Sequence, residues 1–352
     1  MSTKSIVILT ISGIVLIAIN LTSYIKLRQG INEDVKTTVT DFNLEINKET
    51  NQSNLYSPTN LRELHVTDTA ITLAWSFPQT RILLPENSDA AYGQISGFRI
   101  YRDDFDYTIV PGQQLTFTDK NLYPGEEYRY KVAALTFDNK IQGKISTDIK
   151  INTKANDISK KPLPAVKKYS TYLAEGDSIT AGQRAVANKG WVDVTAQKLE
   201  EENQIDINNF AQSGSLIEDV QKRIKQEIDE TNPDLVTLAI GINDITGDRQ
   251  WKQSTDMLDT IITDIKPSEN RTVVLLNIYL FKAALNDQNL LQKVRAWNKS
   301  LRDLAYTHQV VYADVFSDME KKGGQKLLDD LLHPNTEGHR IISETIIEAL
   351  NE

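Results

Sequence analysis

The chain has 352 residues, 40% hydrophobic and 25% charged, a globular composition that excludes wholesale disorder and a multi-span membrane protein. The net charge is −9, and residues 169–352 carry 19 basic against 30 acidic side chains, which gives no electrostatic reason to bind nucleic acid. With no cysteine, disulfides, thiolate nucleophiles and thiolate zinc sites are excluded, and a count of only four histidines argues against a histidine-rich metal centre.

At about 150 residues per domain, this length predicts two domains or one large one. The N-terminal run Ile6 to Leu21 is nearly all apolar, preceded by Lys4 and followed by Lys26 and Arg28. A helix needs about 20 apolar residues to cross a bilayer core, a length reached if the run extends to Ile25. A cleaved signal peptide would end in a small-x-small site, and Ala18-Ile19-Asn20 lacks the second small residue. Residues 1–28 therefore read as a transmembrane signal anchor, with a signal peptide as the alternative. Either one exports the rest of the chain, to the outer face of the cell membrane or, after cleavage, into the medium. Residues 29–54 are polar and read as a solvated stalk. Residues 154–168, with Pro162, Pro164 and a lysine cluster, read as an extended linker.

Between these segments, residues 55–153 are dominated by short alternating runs: Ile71 to Trp75, Gly97 to Tyr101 and Tyr128 to Leu135. Period-two alternation predicts half-buried strands, and several within about 100 residues predict a β-sandwich. Pro58, Asn60-Leu61, Trp75 and the stretch Leu122 to Tyr128 resemble a fibronectin type III domain. The resemblance implies that Tyr128 forms a tyrosine corner and that Trp75 lies between the sheets. Because this architecture hosts many unrelated functions, a spacer or positioning role is expected ahead of ligand binding. Tyr92, Phe105 and Tyr107 are the aromatics that stacking on sugar rings would use.

From Tyr169 onward strands alternate with longer helical stretches. The pattern predicts strands at 170–175, 205–210, 234–240, 272–278 and 309–314, and helices at 190–202, 217–230, 250–265, 287–307 and 338–350. Such alternation implies a parallel sheet covered on both faces, with a site outside the carboxyl ends of its strands. The polar motifs follow the strands: Glu175-Gly-Asp-Ser-Ile-Thr-Ala-Gly182, Asn209-Phe-Ala-Gln-Ser-Gly-Ser215 and Gly241-Ile-Asn-Asp244, with Asp330-Leu-Leu-His333-Pro-Asn near the end. Each is weak alone; four in order are a constellation.

That constellation resembles the SGNH (GDSL-type) hydrolase family over all of 169–352. The resemblance implies a doubly wound parallel five-stranded sheet of flavodoxin-like α/β class. The four eponymous residues fall on Ser178, Gly214, Asn243 and His333, and Asp330 matches the triad acid. Lys189-Gly-Trp-Val192 and His333-Pro-Asn-x-x-Gly-His339 are also similar to the family.

The chemistry follows residue by residue. A serine hydroxyl is a poor nucleophile without an adjacent base, which His333 supplies if its other ring nitrogen is held by an acceptor. Asp330 lies three residues earlier, on the same side of a tight turn. The backbone N–H groups of Ser178 and Gly214 and the side-chain amide of Asn243 provide three donors for an oxyanion. Read alone, Ser178 is a helix cap, Gly214 a turn glycine and Asn243 half of an Asx-turn. Asp177 and Asp244 read as loop braces, Asp329 as the competitor of Asp330, and His339 as a structural or rim residue. His308 reads as solvated at a helix end, and Trp191, Trp251 and Trp297 as core.

These readings describe a membrane-tethered, extracytoplasmic serine ester hydrolase that needs no metal or organic cofactor. Its expected substrate is a small acyl ester, such as an acetyl group, on a surface or environmental carbohydrate. The alternatives are a lipase or lysophospholipase acting on longer acyl chains, a non-catalytic surface binding protein using the same pocket, and an adhesin built on the sandwich.

Overall fold

The computed structural model of the protein describes residues 7–11, 14–18, 57–77, 81–83, 92–136, 141–156, 168–200, 204–247, 249–265, 267 and 270–351. Near the N-terminus, β1 (Val7–Ile11) and β2 (Ile14–Ala18) pair antiparallel. This corrects the expected transmembrane helix over these residues. No helix among the described residues is long and apolar enough to cross a membrane. The run is rich in β-branched isoleucine and valine, which favour extended pairing unless hydrocarbon forces the backbone to satisfy itself within one segment. The rest of 1–28, the stalk 29–54 and most of the linker 154–168 lie outside the described residues.

The next nine strands are β3 (Thr59–Val66), β4 (Ala70–Ser76), β5 (Arg81–Leu83), β6 (Tyr92–Arg102), β7 (Phe105–Pro111), β8 (Thr116–Lys120), β9 (Glu127–Thr136), β10 (Ile141–Ile145) and β11 (Ile149–Asn152). They form one sheet of order β3-β4-β8 and a second of order β10-β9-β6-β5, with β7 added to β6 and β11 to β9. Alternation sets the core: Ile71, Leu73 and Trp75 of β4 turn inward, as do Phe98 and Ile100 of β6 and Tyr130 and Val132 of β9. Trp75 meets Phe98 edge-on at 5.4 Å across the two sheets.

Five strands build the parallel sheet: β12 (Thr171–Gly176), β13 (Asp206–Asn209), β14 (Leu235–Ala239), β15 (Thr272–Leu276) and β16 (Val311–Ala313). All pair in parallel, in the order β13-β12-β14-β15-β16. Tyr172 to Ala174, Leu235 to Leu238 and Thr272 to Leu276 are buried without alternation, as strands covered on both faces must be. The helices are α1 (Trp191–Leu199), α2 (Ile217–Thr231), α3 (Ile242–Thr246), α4 (Trp251–Ile265), α5 (Lys282–Asn286), α6 (Gln288–His308), α7 (Val315–Lys322) and α8 (Thr336–Asn351). In α2 the buried Ile217, Val220, Ile224 and Ile228 make one apolar stripe at helical spacing. The sequence reading found the five strands and five long helices to within a few residues. It did not anticipate the short α3, α5 and α7.

Strand order reverses beside β12, which has β13 on one side and β14 on the other. This is the switch point where doubly wound sheets open a crevice. Away from it, the β-sandwich packs on α4 and α6. Phe105 lies 5.6 Å from Trp251, Tyr123 lies 4.8 Å from Tyr306, and Tyr128 donates its hydroxyl proton to Asp303 Oδ2 at 2.9 Å. Arg102 holds buried Asp119 at 3.2 Å and donates to Ser300 of α6. Phe105 and Tyr107 are therefore taken up by packing, Tyr107 buried and bonded to Asp119, rather than presented as a sugar platform. The side chain of Tyr92 lies outside what is described.

Candidate active site

Ser178 sits just past β12, where the strand gives way to a tight turn. Asp177 Oδ1 accepts the N–H of Ile179 at 3.0 Å and braces that turn. Gly176 has no room for a side chain: a Cβ there would lie 2.4 Å from the Ala239 carbonyl and 2.1 Å from Thr180 Oγ1. This close approach of β12 to the end of β14 explains the glycine before Asp177-Ser178. Burial pushes the Asp177 carboxyl up to about 6, against the Ile179 N–H and the nearby His333 ring, which favour its charged form.

Ser178 Oγ lies 3.1 Å from His333 Nε2, and His333 Nδ1 lies 2.9 and 3.1 Å from the two oxygens of Asp330. Asp330 Oδ1 also accepts the N–H groups of Leu332 and His333, at 2.8 and 2.7 Å. Desolvation works against the charged carboxyl, but these two donors and the ring outweigh it and hold Asp330 well below the usual carboxylate range. It stays ionised and fixes the His333 ring with Nδ1–H toward itself and Nε2 toward Ser178. Asp329 does not compete. Its backbone N–H closes the loop on the His333 carbonyl at 2.9 Å, and its side chain, half exposed, points to Arg184 at 3.6 Å.

The three expected donors occupy neighbouring strand ends. Gly214, after β13, has φ +81° in open space, and Asn243 opens α3 after β14. The N–H groups of Ser178 and Gly214 have no acceptor among the described residues. Asn243 Nδ2 donates to the Ser215 carbonyl at 2.9 Å, so the amide is anchored to the turn that carries Gly214. Asp244 turns away as a brace, accepting the Ile217 N–H that opens α2 at 3.1 Å. Burial pushes its carboxyl up to about 6. Beside Gly214 lies an open cleft of about 470 Å³, lined by Gln212, Ser213, Ser215, Asp219, Lys222 and Arg223. Another cavity, about 330 Å³, lies at the junction with the sandwich, and none of these site residues lines it.

Several contributors were not singled out from sequence. Arg184, in the left-handed region at φ +69°, reaches Asp330 Oδ2 at 3.3 Å. The Tyr279 hydroxyl donates to the Leu332 carbonyl and pins the loop of His333. Glu175, fully buried, pairs with Arg223 of α2; one charged residue in an otherwise apolar strand run was the available signal. His339 is structural: Nε2 donates to the Gln183 carbonyl at 3.1 Å and Nδ1 accepts the Trp191 N–H at 3.3 Å. Burial lowers its pKa, in keeping with that neutral form. His308 is not solvated but paired with Asp259 at 2.7 Å. Trp191, Trp251 and Trp297 are core, as expected.

A parallel α/β sheet that aims a serine, a histidine and a carboxylate at one switch point defines a hydrolase-type site. Residues 174–341 match the model of the GDSL-like Lipase/Acylhydrolase family, so the α/β region is a GDSL-like (SGNH) domain and the protein a serine ester hydrolase of this type. The chain is 27% identical over 182 residues to an arylesterase of Vibrio mimicus, covering 51% of this chain and 86% of that one. It is also similar to a solved member of the lipolytic protein G-D-S-L family from Veillonella parvula, at 22% identity and TM-score 0.45, covering 51% of this chain and 97% of that one. A catalytic mutant of an acetylxylan esterase from Geobacillus stearothermophilus is similar at 20% identity and TM-score 0.45, covering 53% and 96% of the two chains.

Proposed function

We propose that the protein is an extracytoplasmic esterase that removes a small acyl group, acetyl above all, from a carbohydrate. Ser178 attacks the acyl carbon while its proton passes to His333 Nε2, and Asp330 stabilises the imidazolium. The tetrahedral oxyanion rests against the N–H groups of Ser178 and Gly214 and the Asn243 amide. Collapse expels the alcohol, which takes the proton from His333. A water then gives its proton to His333 and attacks the acyl-serine, and His333 returns the proton to Ser178 Oγ as the carboxylic acid leaves.

The observation that carries the substrate class is the cleft beside Gly214. Its lining of amide, hydroxyl and charged side chains suits the hydroxyl-rich alcohol half of a sugar ester. Acetyl, butyryl and octanoyl esters of one chromogenic alcohol, assayed beside acetate release from an acetylated oligosaccharide, test this. The reading expects the acetyl ester to give the highest kcat/KM and acetate to be released. A kcat/KM that climbs to octanoyl supports the longer-chain reading, which the exposed apolar Val186 and Leu331 flanking the triad favour.

The apolar run Ile6 to Ile25, N-terminal and flanked by Lys4 and Lys26, is the basis for export. Accessibility of an epitope at the C-terminus to protease added to intact cells tests it. Residues 55–153 are read as a fibronectin type III-like module, in support of which the Tyr128 hydroxyl accepts the Tyr123 N–H at 2.9 Å as a tyrosine corner does.

A further inference from the structure

Glu175 lies three residues before Ser178 with no exposed surface. A carboxylate there is tolerated only if paired and hydrogen-bonded. Arg223 supplies the pair from α2, with Nε 2.9 Å from Oε2 and Nη2 2.7 Å from Oε1, and the Gly176 N–H adds a third bond at 2.9 Å. The same Nη2 reaches Ser215 Oγ at 3.4 Å. Ser215 follows Gly214 directly, and its carbonyl holds the Asn243 amide. One helical turn along, Glu227 lies 3.3 Å from Arg223 Nε. Burial, reinforced by the neighbouring Glu175, pushes the Glu227 carboxyl up to about 8. A planar, always-charged fork can hold a strand end and a turn at fixed separation, which a flexible ammonium cannot.

We propose that Arg223 is a positioning residue that fastens the turn of Gly214 and Ser215 to the strand end leading into Ser178, and through Ser215 sets the Asn243 amide. This rests on the oxyanion reading given above. Although Arg223 lines the cleft, its guanidinium is spent on Glu175 and Ser215, so it acts through the three donors rather than on substrate.

The test compares wild type with Arg223→Lys, which keeps the charge, and with the double variant Glu175→Leu/Arg223→Met, which removes both buried charges together. Circular dichroism, and labelling of Ser178 by a fluorophosphonate, count folded sites. The expected result is a kcat about 10²-fold lower in the double variant and about tenfold lower in Arg223→Lys, with KM within about twofold. The inhibition constant of a boronic acid, whose serine adduct carries the oxyanion, rises by the same factor as kcat falls. A folded double variant with kcat within about twofold of wild type overturns the proposal. So does a rise in KM at unchanged kcat, which makes Arg223 a substrate-binding group, or a fall in kcat that leaves boronate binding unmoved. A wild type that labels at Ser178 yet hydrolyses no ester fails the underlying reading, and this inference falls with it.

Discussion

Asp119 and Ser178 show two ways in which this fold treats polar groups taken out of water. At the junction of sandwich and helices, Asp119 accepts from Arg102, Tyr107 and Tyr130. Arg102 goes on to Ser300, which also accepts the Trp251 N–H at 3.2 Å. Each of these donors has found its acceptor. At the switch point the economy is reversed: the N–H groups of Ser178 and Gly214 are held in place with no acceptor among the described residues. Saturated networks fix how two bodies fit, whereas donors left open in a rigid frame are available to charge that exists only in a transition state.

The contrast predicts that substitutions at the switch point change rate and those at the junction change stability. The largest effect is expected for Ser178→Ala, with turnover of a short-chain ester reduced by about 10⁴-fold or more and the melting temperature nearly unchanged. Activity retained in a clean preparation would remove Ser178 from the mechanism. Next comes the acid: Asp330→Asn should cost at least about 10²-fold in kcat, because the amide no longer fixes the His333 tautomer, while Asp329→Asn stays within about twofold. The reverse order would shift the triad by one position.

Asn243→Ala should lower kcat by about 10²–10³-fold at nearly constant KM. Asn243→Asp should be at least as damaging, since a carboxylate repels the oxyanion. Melting curves separate this from an Asx-turn role, which would lower stability and spare activity per folded molecule. A near-wild-type Asn243→Asp would take Asn243 out of the oxyanion hole.

The smallest effect belongs to the junction. Burial pushes the Asp303 carboxyl up from 3.8 to about 7, against the pull of Arg102, the Tyr128 hydroxyl, Arg302 and Lys299. Between those values the folded chain holds a proton that the unfolded chain has released. The associated stability is full below about pH 4 and is lost as the pH rises through about 7. Asp303→Asn, which can still accept from Tyr128, should flatten the decline in melting temperature between about pH 4 and 7 while leaving kcat within about twofold. Parallel slopes in the two proteins would show that Asp303 does not titrate there.

Much of the catalytic domain could be read in advance because its signals are local. Uninterrupted apolar runs mark β12, β14 and β15, the stripe of Ile217 to Ile228 marks α2, and the polar motifs stand where strands end. The three-residue step from Asp330 to His333 was enough to suggest their contact. What escaped reading depends on distance along the chain. Glu175 meets Arg223 across 48 positions and Arg102 meets Ser300 across 198, and no periodicity encodes such pairs. The short α3, α5 and α7 have too few turns to show a period. At Val7 to Ala18 hydropathy gives the length of the apolar run, but the choice between helix and paired strands depends on the solvent around it.

Helix α6 touches both regions. One face receives Arg102 and Tyr128 of the sandwich at Ser300 and Asp303. Further along the same stripe, the Trp297 ring lies where a Cβ at Gly241 would meet it at 3.2 Å, and Lys293 bonds the Ile245 carbonyl at 2.6 Å, so the turn bearing Asn243 is clamped between them. Gly241, at φ +120°, can be no other residue without moving that ring. The consequence is one of inheritance. A sandwich joined to its enzyme through the helix that also clamps the Asn243 turn is not a freely exchangeable module. A sandwich grafted from another protein has to bring counterparts of Arg102, Phe105 and Tyr128, and drift at those positions is answerable to the stability of the enzyme as well as to that of the sandwich.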